Sequence, residues 1–210
     1  MQTHENRGVD LSPDEAARYA RHLTLPEIGV DGQKRLKNSS VLCVGSGGLG
    51  SPLLLYLAAA GVGQIGIVDF DTVESSNLQR QVIHDTNWIG KPKTISAKTR
   101  VLEINPFCKV DIFETLLTKD NALEIIKPYD LVCDCTDNFP SRYLINDACV
   151  VLKKPNIYGS IDQFQGQVTV FNLDEASPNF RDLIPEPPPP GLIPSCSEGG
   201  VMGVLPGLIG

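Results

Sequence analysis

Gly45-Ser46-Gly47-Gly48-Leu49-Gly50 is the stretch that decides the fold of this chain, because of the sequence on either side of it. The apolar run Val41-Leu42-Cys43-Val44 precedes it, and an apolar run typical of a helix follows over residues 53–60. A second apolar run, Ile65-Gly66-Ile67-Val68, ends at Asp69. A strand, a glycine turn, a helix, a strand and an acid predict a nucleotide-binding unit, since the glycines let the backbone approach phosphate. We expect the acid to hold ribose hydroxyls.

Alternating helix and strand patterns continue along the chain. We predict helices over 91–104, 118–127 and 138–152, and strands over 109–117, 131–135, 156–158 and 167–171. An N-terminal helical segment over residues 1–37 precedes the first strand, and its capping sequence is Ser12-Pro13-Asp14-Glu15. This order predicts an α/β chain with a Rossmann-like, doubly wound and mostly parallel sheet.

Composition and charge argue against several classes of protein. The chain has 210 residues, 41% of them hydrophobic, a net charge of -7 and a pI near 4.9. Such acidity argues against a nucleic-acid partner. No segment reaches the ~18 apolar residues of a membrane span, and the polar N-terminus lacks the apolar core of a secretion signal. Six cysteines without a C-x-x-C pair indicate reduced thiols, so we expect a cytoplasmic protein with no membrane partner.

Two polar clusters follow the glycine loop. The first is Ser76-Asn77-Leu78-Gln79-Arg80-Gln81, with Lys93 further on in Gly90-Lys91-Pro92-Lys93. The second, Asp134-Cys135-Thr136-Asp137-Asn138, follows a predicted strand. Ligands of doubly wound sheets lie beyond the carboxyl ends of the strands. We therefore expect the glycine loop, Asp69 and residues 134–138 to converge on one site.

Taken in order, these stretches resemble the MoeB/ThiF family of ubiquitin-activating-like adenylyltransferases. Three more stretches match, so that the resemblance covers about residues 12–210: Arg18-Tyr19-Ala20-Arg21, Gly166-Gln167-Val168-Thr169-Val170-Phe171 and Cys196-Ser197-Glu198-Gly199-Gly200-Val201. The resemblance implies that residues 38–210 are an ATP-binding adenylation domain, incomplete at the C-terminus. It implies an enzyme that uses ATP to adenylate the C-terminal Gly-Gly carboxylate of a ubiquitin-like sulfur carrier and releases pyrophosphate. The implied carrier is the small subunit of molybdopterin synthase, with the carriers of thiamine synthesis and transfer-RNA thiolation as alternatives.

The reaction accounts for the residue types. An ionised carboxylate needs no general base, and its obstacle is repulsion from the α-phosphate of ATP, so catalysis is mainly positioning and charge neutralisation. By resemblance, Arg80 and Lys93 contact the phosphates and Asp137 is the carboxylate that holds Mg²⁺. The set implied for cofactor binding is Gly45, Gly47, Gly48, Gly50, Asp69, Ser76, Asn77, Leu78, Gln79, Arg80, Lys93, Asp137 and Asn138.

The resemblance also implies a homodimer and a reactive thiol. Arg21 matches the family arginine that reaches into the site of the partner subunit, and we expect it to be catalytic there. Cys196 follows the proline-rich segment 185–190. In some family members a cysteine at this place takes part in sulfur transfer, and in others it is dispensable for adenylation, so both roles stay open for Cys196.

The chain departs from many relatives in two ways. Asn179 and Asp182 stand where the first of two C-x-x-C pairs of a structural zinc site is expected, as in cyanobacterial and actinobacterial members without zinc cysteines. Amide and carboxylate oxygens are poor replacements for two thiolates, so we predict no zinc. The family's final helices would follow Gly210, which indicates a truncated chain.

Two functions of other classes remain open. An NAD-dependent oxidoreductase would explain residues 45–69, but not Arg80, Lys93 and Asp137, which are typical of a triphosphate and metal site. A non-catalytic module that binds a ubiquitin-like carrier is the second. Nicotinamide binding without ATP–pyrophosphate exchange would favour the first, and carrier binding without exchange would favour the second.

Overall fold

The computed structural model describes residues 10–189 and 199–210. The strands are β1 (Ser40–Val44), β2 (Gln64–Val68), β3 (Lys109–Phe113), β4 (Leu131–Asp134), β5 (Asn156–Asp162) and β6 (Gln165–Phe171). The helices are α1 (Pro13–Arg18), α2 (Ala20–Leu23), α3 (Gly29–Asn38), α4 (Gly50–Ala60), α5 (Lys93–Ile104), α6 (Ala122–Ile126), α7 (Phe139–Leu152), α8 (Phe180–Leu183) and α9 (Leu205–Ile209). Two single 3₁₀ turns, Ser75–Asn77 and Thr86–Trp88, lie between β2 and α5.

The described strands form one sheet in the order β3-β2-β1-β4-β5-β6. The neighbours from β3 to β5 pair in parallel, and only β6 runs antiparallel, against β5. The chain leaves β1 toward β2 on one side and later returns to place β4 on the other side. This confirms the predicted α/β, Rossmann-like and mostly parallel sheet, and it puts the switch point between β1 and β4, where such sheets bind ligands.

Helices cover both faces of the central strands, which explains why those strands are continuous apolar runs. Alternate residues of β1 face opposite sides. Val41 and Cys43 belong to a core with Leu54 of α4, whereas Leu42 belongs to a core with Ile145 of α7. Each fully buried aliphatic side chain contributes about 1.5–3 kcal/mol of transfer free energy. None of the described helices has the length and apolar character needed to cross a membrane.

The N-terminal segment is held at the end of the sheet where the strands begin. The predicted capping box is present, since Ser12 Oγ accepts from Glu15 N at 3.2 Å and Glu15 Oε2 accepts from Ser12 N at 2.8 Å. The predicted helical segment is broken at Tyr19, whose buried hydroxyl accepts from Asn105 Nδ2 at 2.7 Å. Asn105 precedes β3, so α1 and α2 lie far from the glycine loop, which follows the end of β1.

β3 and β5 differ most in length from the prediction, and β6 begins two residues earlier than predicted, at Gln165. β5 continues to Asp162 instead of ending at Tyr158, because residues 160–162 pair with residues 165–167 of β6 in a hairpin. β3 ends at Phe113, and residues 115–117 instead turn across the carboxyl ends of the strands, where they line a cleft. Both differences enlarge the walls around the switch point.

Candidate functional site

A cleft of about 1040 Å³ lies beyond the carboxyl ends of β1, β2 and β4. The glycine loop, Asp69 and residues 135–138 all line it, so the three segments converge as the sequence predicts. The hairpin of β5 and β6 and the prolines at 187–189 form the opposite wall. The predicted site residues that line the cleft are Gly45, Gly47, Gly48, Asp69, Arg80, Lys93, Asp137 and Asn138.

Five other predicted nucleotide contacts do not line the cleft: Gly50, Ser76, Asn77, Leu78 and Gln79. Gly50 is buried at the start of α4, where a Cβ would collide with the carbonyl oxygen of Gly45, so it permits close packing of helix and loop. Residues 76–79 lead to Arg80 through a 3₁₀ turn, in which Asn77 Oδ1 accepts from Glu74 N at 3.2 Å. Their contact with a nucleotide stays a prediction.

The shape of the glycine loop requires glycine at position 45 and leaves little space for a side chain at position 48. Gly45 has a φ of 94°, and a Cβ on it would lie 2.9 Å from the carbonyl oxygen of Cys135. A Cβ on Gly48 would lie 3.3 Å from two carbons of Pro206 in α9. A side chain at position 48 would therefore press on the C-terminal helix, in addition to any bound nucleotide.

Asp69 is held in one orientation by the backbone around it. Its Oδ2 accepts from both the N–H and the hydroxyl of Ser46 at 2.8 Å, and its Oδ1 accepts from Asp71 N at 2.9 Å. The residue is 9% exposed and borders the cleft. A carboxylate has about four acceptor positions, so one remains here for a ligand hydroxyl. This geometry suits a fixed acceptor for a ribose.

The cation of Lys93 is positioned before any ligand arrives. Lys93 begins α5, and its Nζ donates to Asp71 Oδ2 at 2.9 Å. The Lys93 side chain is 7% exposed, whereas that of Asp71 is 48% exposed. An ammonium has three donors, so two remain for the cleft. Arg80 uses one guanidinium N–H on the carbonyl oxygen of Ser76 at 3.3 Å, and it lines the same cleft.

Sequence reasoning missed a third cation, Arg142. It is 7% exposed, lines the cleft and donates from Nη2 to the carbonyl oxygen of Thr136 at 3.2 Å. Its guanidinium lies 5.3 Å from the ring centre of Phe139 and 5.4 Å from that of Tyr158. Within residues 10–189 and 199–210 its Nε has no hydrogen-bond partner and no carboxylate lies within ion-pair distance, although its charge acts to lower the pKa of Asp134, which burial raises. A buried cation without a directly paired anion is unfavourable, so this geometry favours an anionic ligand.

Gln81 was also missed as a site residue, although it belongs to the first polar cluster. It is 4% exposed, lines the cleft, and its Nε2 lies near Gly47. Its Oε1 is buried without a hydrogen-bond partner among the described residues. An unpaired buried acceptor of this kind is costly unless a bound donor satisfies it.

The two acids after β4 have different environments. Asp134 is 1% exposed, and its Oδ1 accepts from the N–H of Thr136 at 3.0 Å and from its hydroxyl at 2.6 Å. Burial raises the pKa of Asp134, and these hydrogen bonds oppose the rise. Asp137 is exposed to the cleft, as the sequence predicts for the acid that holds a metal. Its neighbour Asn138 caps α7 by accepting from Ser141 N at 3.0 Å.

Asp137 is one of the carboxylates that line the cleft, and its exposure is compatible with Mg²⁺ bound together with a nucleotide. The described ranges contain no group of three or more His, Cys, Asp or Glu residues placed to hold a metal ion. Mg²⁺ is usually held by one or two carboxylates, phosphate oxygens and water, and such a site needs no protein cluster. Asp137, exposed beside Arg80 and Lys93 in one cleft, meets that requirement.

Four residues named in the sequence analysis lie away from the cleft or outside the described part. Arg21 is exposed on α2, and its guanidinium has no hydrogen bond or ion pair within residues 10–189 and 199–210. Cys196 lies outside the described residues. Asn179 and Asp182, at the expected zinc positions, instead cap α8, since Asp182 Oδ2 accepts from Asn179 N at 2.8 Å. The absence of zinc stays a prediction.

Beneath the glycine loop lies the imidazole of His84, which is 6% exposed. Its Nε2 is 3.0 Å from the carbonyl oxygen of Ser46, and its Nδ1 is 2.9 Å from Ser96 Oγ. A carbonyl oxygen only accepts, so Nε2 carries the proton and Nδ1 accepts from the serine hydroxyl. Burial lowers the pKa of His84, against the effect of its bond to Ser46, and the charge of Lys93 lowers it further.

This environment predicts a pH dependence of stability. The pKa of His84 in the folded protein is below the unfolded value of ~6.5. The unfolded chain therefore binds more protons as the pH falls through 6.5, and the free energy of unfolding decreases there. We expect urea unfolding at pH 7.5 and pH 5.0 to show a larger loss for the wild type than for His84→Gln. Parallel losses in the two proteins would contradict the inferred burial of a neutral imidazole.

Comparison with known proteins identifies relatives over almost the whole chain. The model of the ThiF family matches residues 19–210. The probable adenylyltransferase/sulfurtransferase MoeZ of Mycobacterium tuberculosis is 57% identical over 198 residues, which are 93% of this chain and 50% of MoeZ. The sulfur carrier protein adenylyltransferase of Thermus thermophilus is 53% identical over 201 residues, 94% of this chain and 74% of that protein.

Further matches agree with these. The probable molybdopterin-synthase adenylyltransferase of Porphyra purpurea is 53% identical over 203 residues, 95% of this chain and 52% of that protein. This chain thus spans about half the length of MoeZ and of the Porphyra protein. The crystal structure of PaaA superposes with a TM-score of 0.76 at 23% identity, over 99% of this chain and 66% of PaaA, which shows the shared fold.

Proposed function

The chain belongs to the ThiF family, and from that premise we propose that it adenylates the C-terminal Gly-Gly carboxylate of a ubiquitin-like sulfur carrier, using ATP and releasing pyrophosphate. The observation that carries the proposal is one cleft lined by a glycine loop, a fixed acid at Asp69 and the cations of Arg80 and Lys93. The names of the Mycobacterium, Thermus and Porphyra relatives support the same reaction class.

In this proposal, three parts of the cleft bind three parts of ATP. A ribose hydroxyl donates to the remaining acceptor position of Asp69, which Ser46 holds in place. The phosphates lie near Lys93 and Arg80, and the glycine loop lets them approach the start of α4. Mg²⁺, when held by Asp137 and the phosphates, would supply further positive charge there.

The attacking carboxylate is already an anion, so the protein contributes positive charge and holds the two reacting groups in position. A carboxylate approaching a triphosphate is repelled at every distance, and fixed cations in a cleft with little water reduce that repulsion most. Arg142 adds a buried guanidinium to the two cations expected from the sequence. The absence of a direct ion pair to it among the described residues supports a role that begins when a charged ligand enters.

We propose the small subunit of molybdopterin synthase as the carrier, supported by the name of the Porphyra relative. Carriers of thiamine synthesis and transfer-RNA thiolation share the same tail chemistry and are outcomes of the test. We also propose a homodimer, because Arg21 lies near the beginning of the sheet and cannot serve the cleft of its own subunit. The five described cysteines are free thiols, which supports a reducing compartment such as the cytoplasm.

The proposed function is tested by ATP–pyrophosphate exchange with the full chain and a purified carrier. We expect labelled pyrophosphate to enter ATP only when a carrier ending in Gly-Gly is present, because reversal needs an acyl-adenylate. A carrier that lacks its last glycine is the matched control and should support no exchange. Carrier binding without exchange would indicate a binding module, and binding of a nicotinamide cofactor in place of ATP would indicate an oxidoreductase. The rates with the three carrier types identify the preferred one.

A further inference from the structure

We propose that His84 is a positioning residue for the ribose: through Ser46 it fixes the carboxylate of Asp69 and thereby sets the affinity for ribonucleotides. This inference rests on the proposed function, since it assumes that Asp69 binds a ribose. His84 does not line the cleft, so it acts through another residue and not by touching the nucleotide.

The imidazole of His84 belongs to a hydrogen-bond network beside the ribose end of the site. His84 donates to the carbonyl oxygen of Ser46, and Ser46 donates twice to Asp69. Asp69 accepts from the N–H of Asp71, whose carboxylate accepts from Lys93. Helix α5 then leads from Lys93 to residue 96, which donates back to the imidazole. This network connects the glycine loop, Asp69 and the start of α5.

Four residues of this network are almost completely buried. Ser46 is 0% exposed, Ser96 1%, His84 6% and Asp69 9%. In the described part of the chain, the imidazole is the donor that satisfies the carbonyl oxygen of Ser46. Without that donor the buried carbonyl is unpaired, and the peptide would rotate to find a partner. That carbonyl is joined through the Cα of Ser46 to the side chain and the preceding N–H, so its movement would displace both donors that hold Asp69.

Two substitutions of His84 separate this role from simple packing. The side-chain nitrogen of glutamine can occupy the place of Nε2, so His84→Gln keeps a donor for the glycine loop. Asparagine reaches only the place of Nδ1, so His84→Asn keeps the contact with Ser96 and loses the contact with Ser46. Both remove the ring and leave a cavity of similar kind. A packing role predicts similar effects of the two variants, whereas the positioning role predicts different ones.

We expect His84→Asn to raise the KM for ATP about tenfold, the usual effect of misplacing one hydrogen-bond acceptor in a binding site, and to leave the KM for the carrier unchanged. His84→Gln should stay within threefold of the wild type in both constants. Exchange kinetics with ATP and carrier varied separately give both values, and thermal unfolding of each variant reports folding.

The decisive measurement is the preference of the enzyme for ATP over 2′-deoxy-ATP. With the 2′-hydroxyl as the donor to the one acceptor position left on Asp69, the wild type should prefer ATP to 2′-deoxy-ATP by about tenfold. In His84→Asn this ratio should fall toward one, and in His84→Gln it should persist. An unchanged ratio in a folded His84→Asn protein overturns the inference, whereas absence of exchange in the wild type overturns the proposed function instead. If His84→Asn does not fold, Ser96→Ala decides: it releases the imidazole, and a ratio equal to that of the wild type overturns the inference.

Discussion

Replacing Lys93 with alanine is expected to slow carrier-dependent ATP–pyrophosphate exchange by about 10²-fold or more. Lys93 is a buried cation at the start of α5, held by Asp71 with its remaining donors free for the cleft. Its loss removes positive charge from the place where an anion must attack a phosphate. The variant also leaves the Asp71 carboxylate unpaired beside the phosphates, which adds repulsion.

The comparison variant is Arg100→Ala, which removes the same charge from an exposed turn of the same helix. Among the described residues Arg100 pairs with Glu103 alone, at 3.2 Å, and both side chains are more than half exposed. We expect exchange by Arg100→Ala to match that of the wild type, since exposed pairs of this kind contribute little. Exchange by a folded Lys93→Ala protein within threefold of the wild type would remove Lys93 from the proposed site. Thermal unfolding excludes loss of the fold as the cause.

The local elements of the fold could be predicted well because each has its own signal in the sequence. The unit β1-α4-β2 was located from two apolar runs and the glycine turn, and Gly61 ends α4 with a φ of 86°. The break at Tyr19 had no such signal. It arises because the Tyr19 hydroxyl bonds to Asn105, 86 positions later, and a tertiary contact of that kind overrides local helix propensity.

The candidate site shows the same difference between residues with a local sequence signal and residues placed by long-range contacts. Residues at the ends of strands converge in any doubly wound sheet, so Asp69 and Asp137 could be placed beside the glycine loop before the fold was known. Arg142 could not, because its burial depends on Tyr158 of the next strand. His84 had no visible partner because Ser46 lies 38 residues earlier. Contacts of this kind follow from topology and packing, and a single sequence does not display them.

Arg21→Ala is expected to lower exchange by about 10²-fold or more, even though Arg21 lies outside the cleft of its own subunit. The helix α2 is anchored near Asn105, where the strands begin, and the cleft lies where they end. In the proposed homodimer the guanidinium therefore reaches the phosphates of the partner's ATP and stabilises the charge that develops there. Arg35→Ala, an exposed arginine of α3, is the matched control and should exchange normally.

Two heterodimers with the same number of substitutions decide whether the arginine acts across the interface. Subunits carrying different affinity tags are coexpressed and purified over both tags. Pairing Arg21→Ala with Asp137→Ala leaves one complete site per dimer if Arg21 acts across subunits, so roughly half of the wild-type activity is expected from a symmetric dimer. Pairing a wild-type subunit with the double variant leaves none. If each subunit is self-contained, the two results reverse, because only the wild-type subunit of the second dimer then holds an intact site.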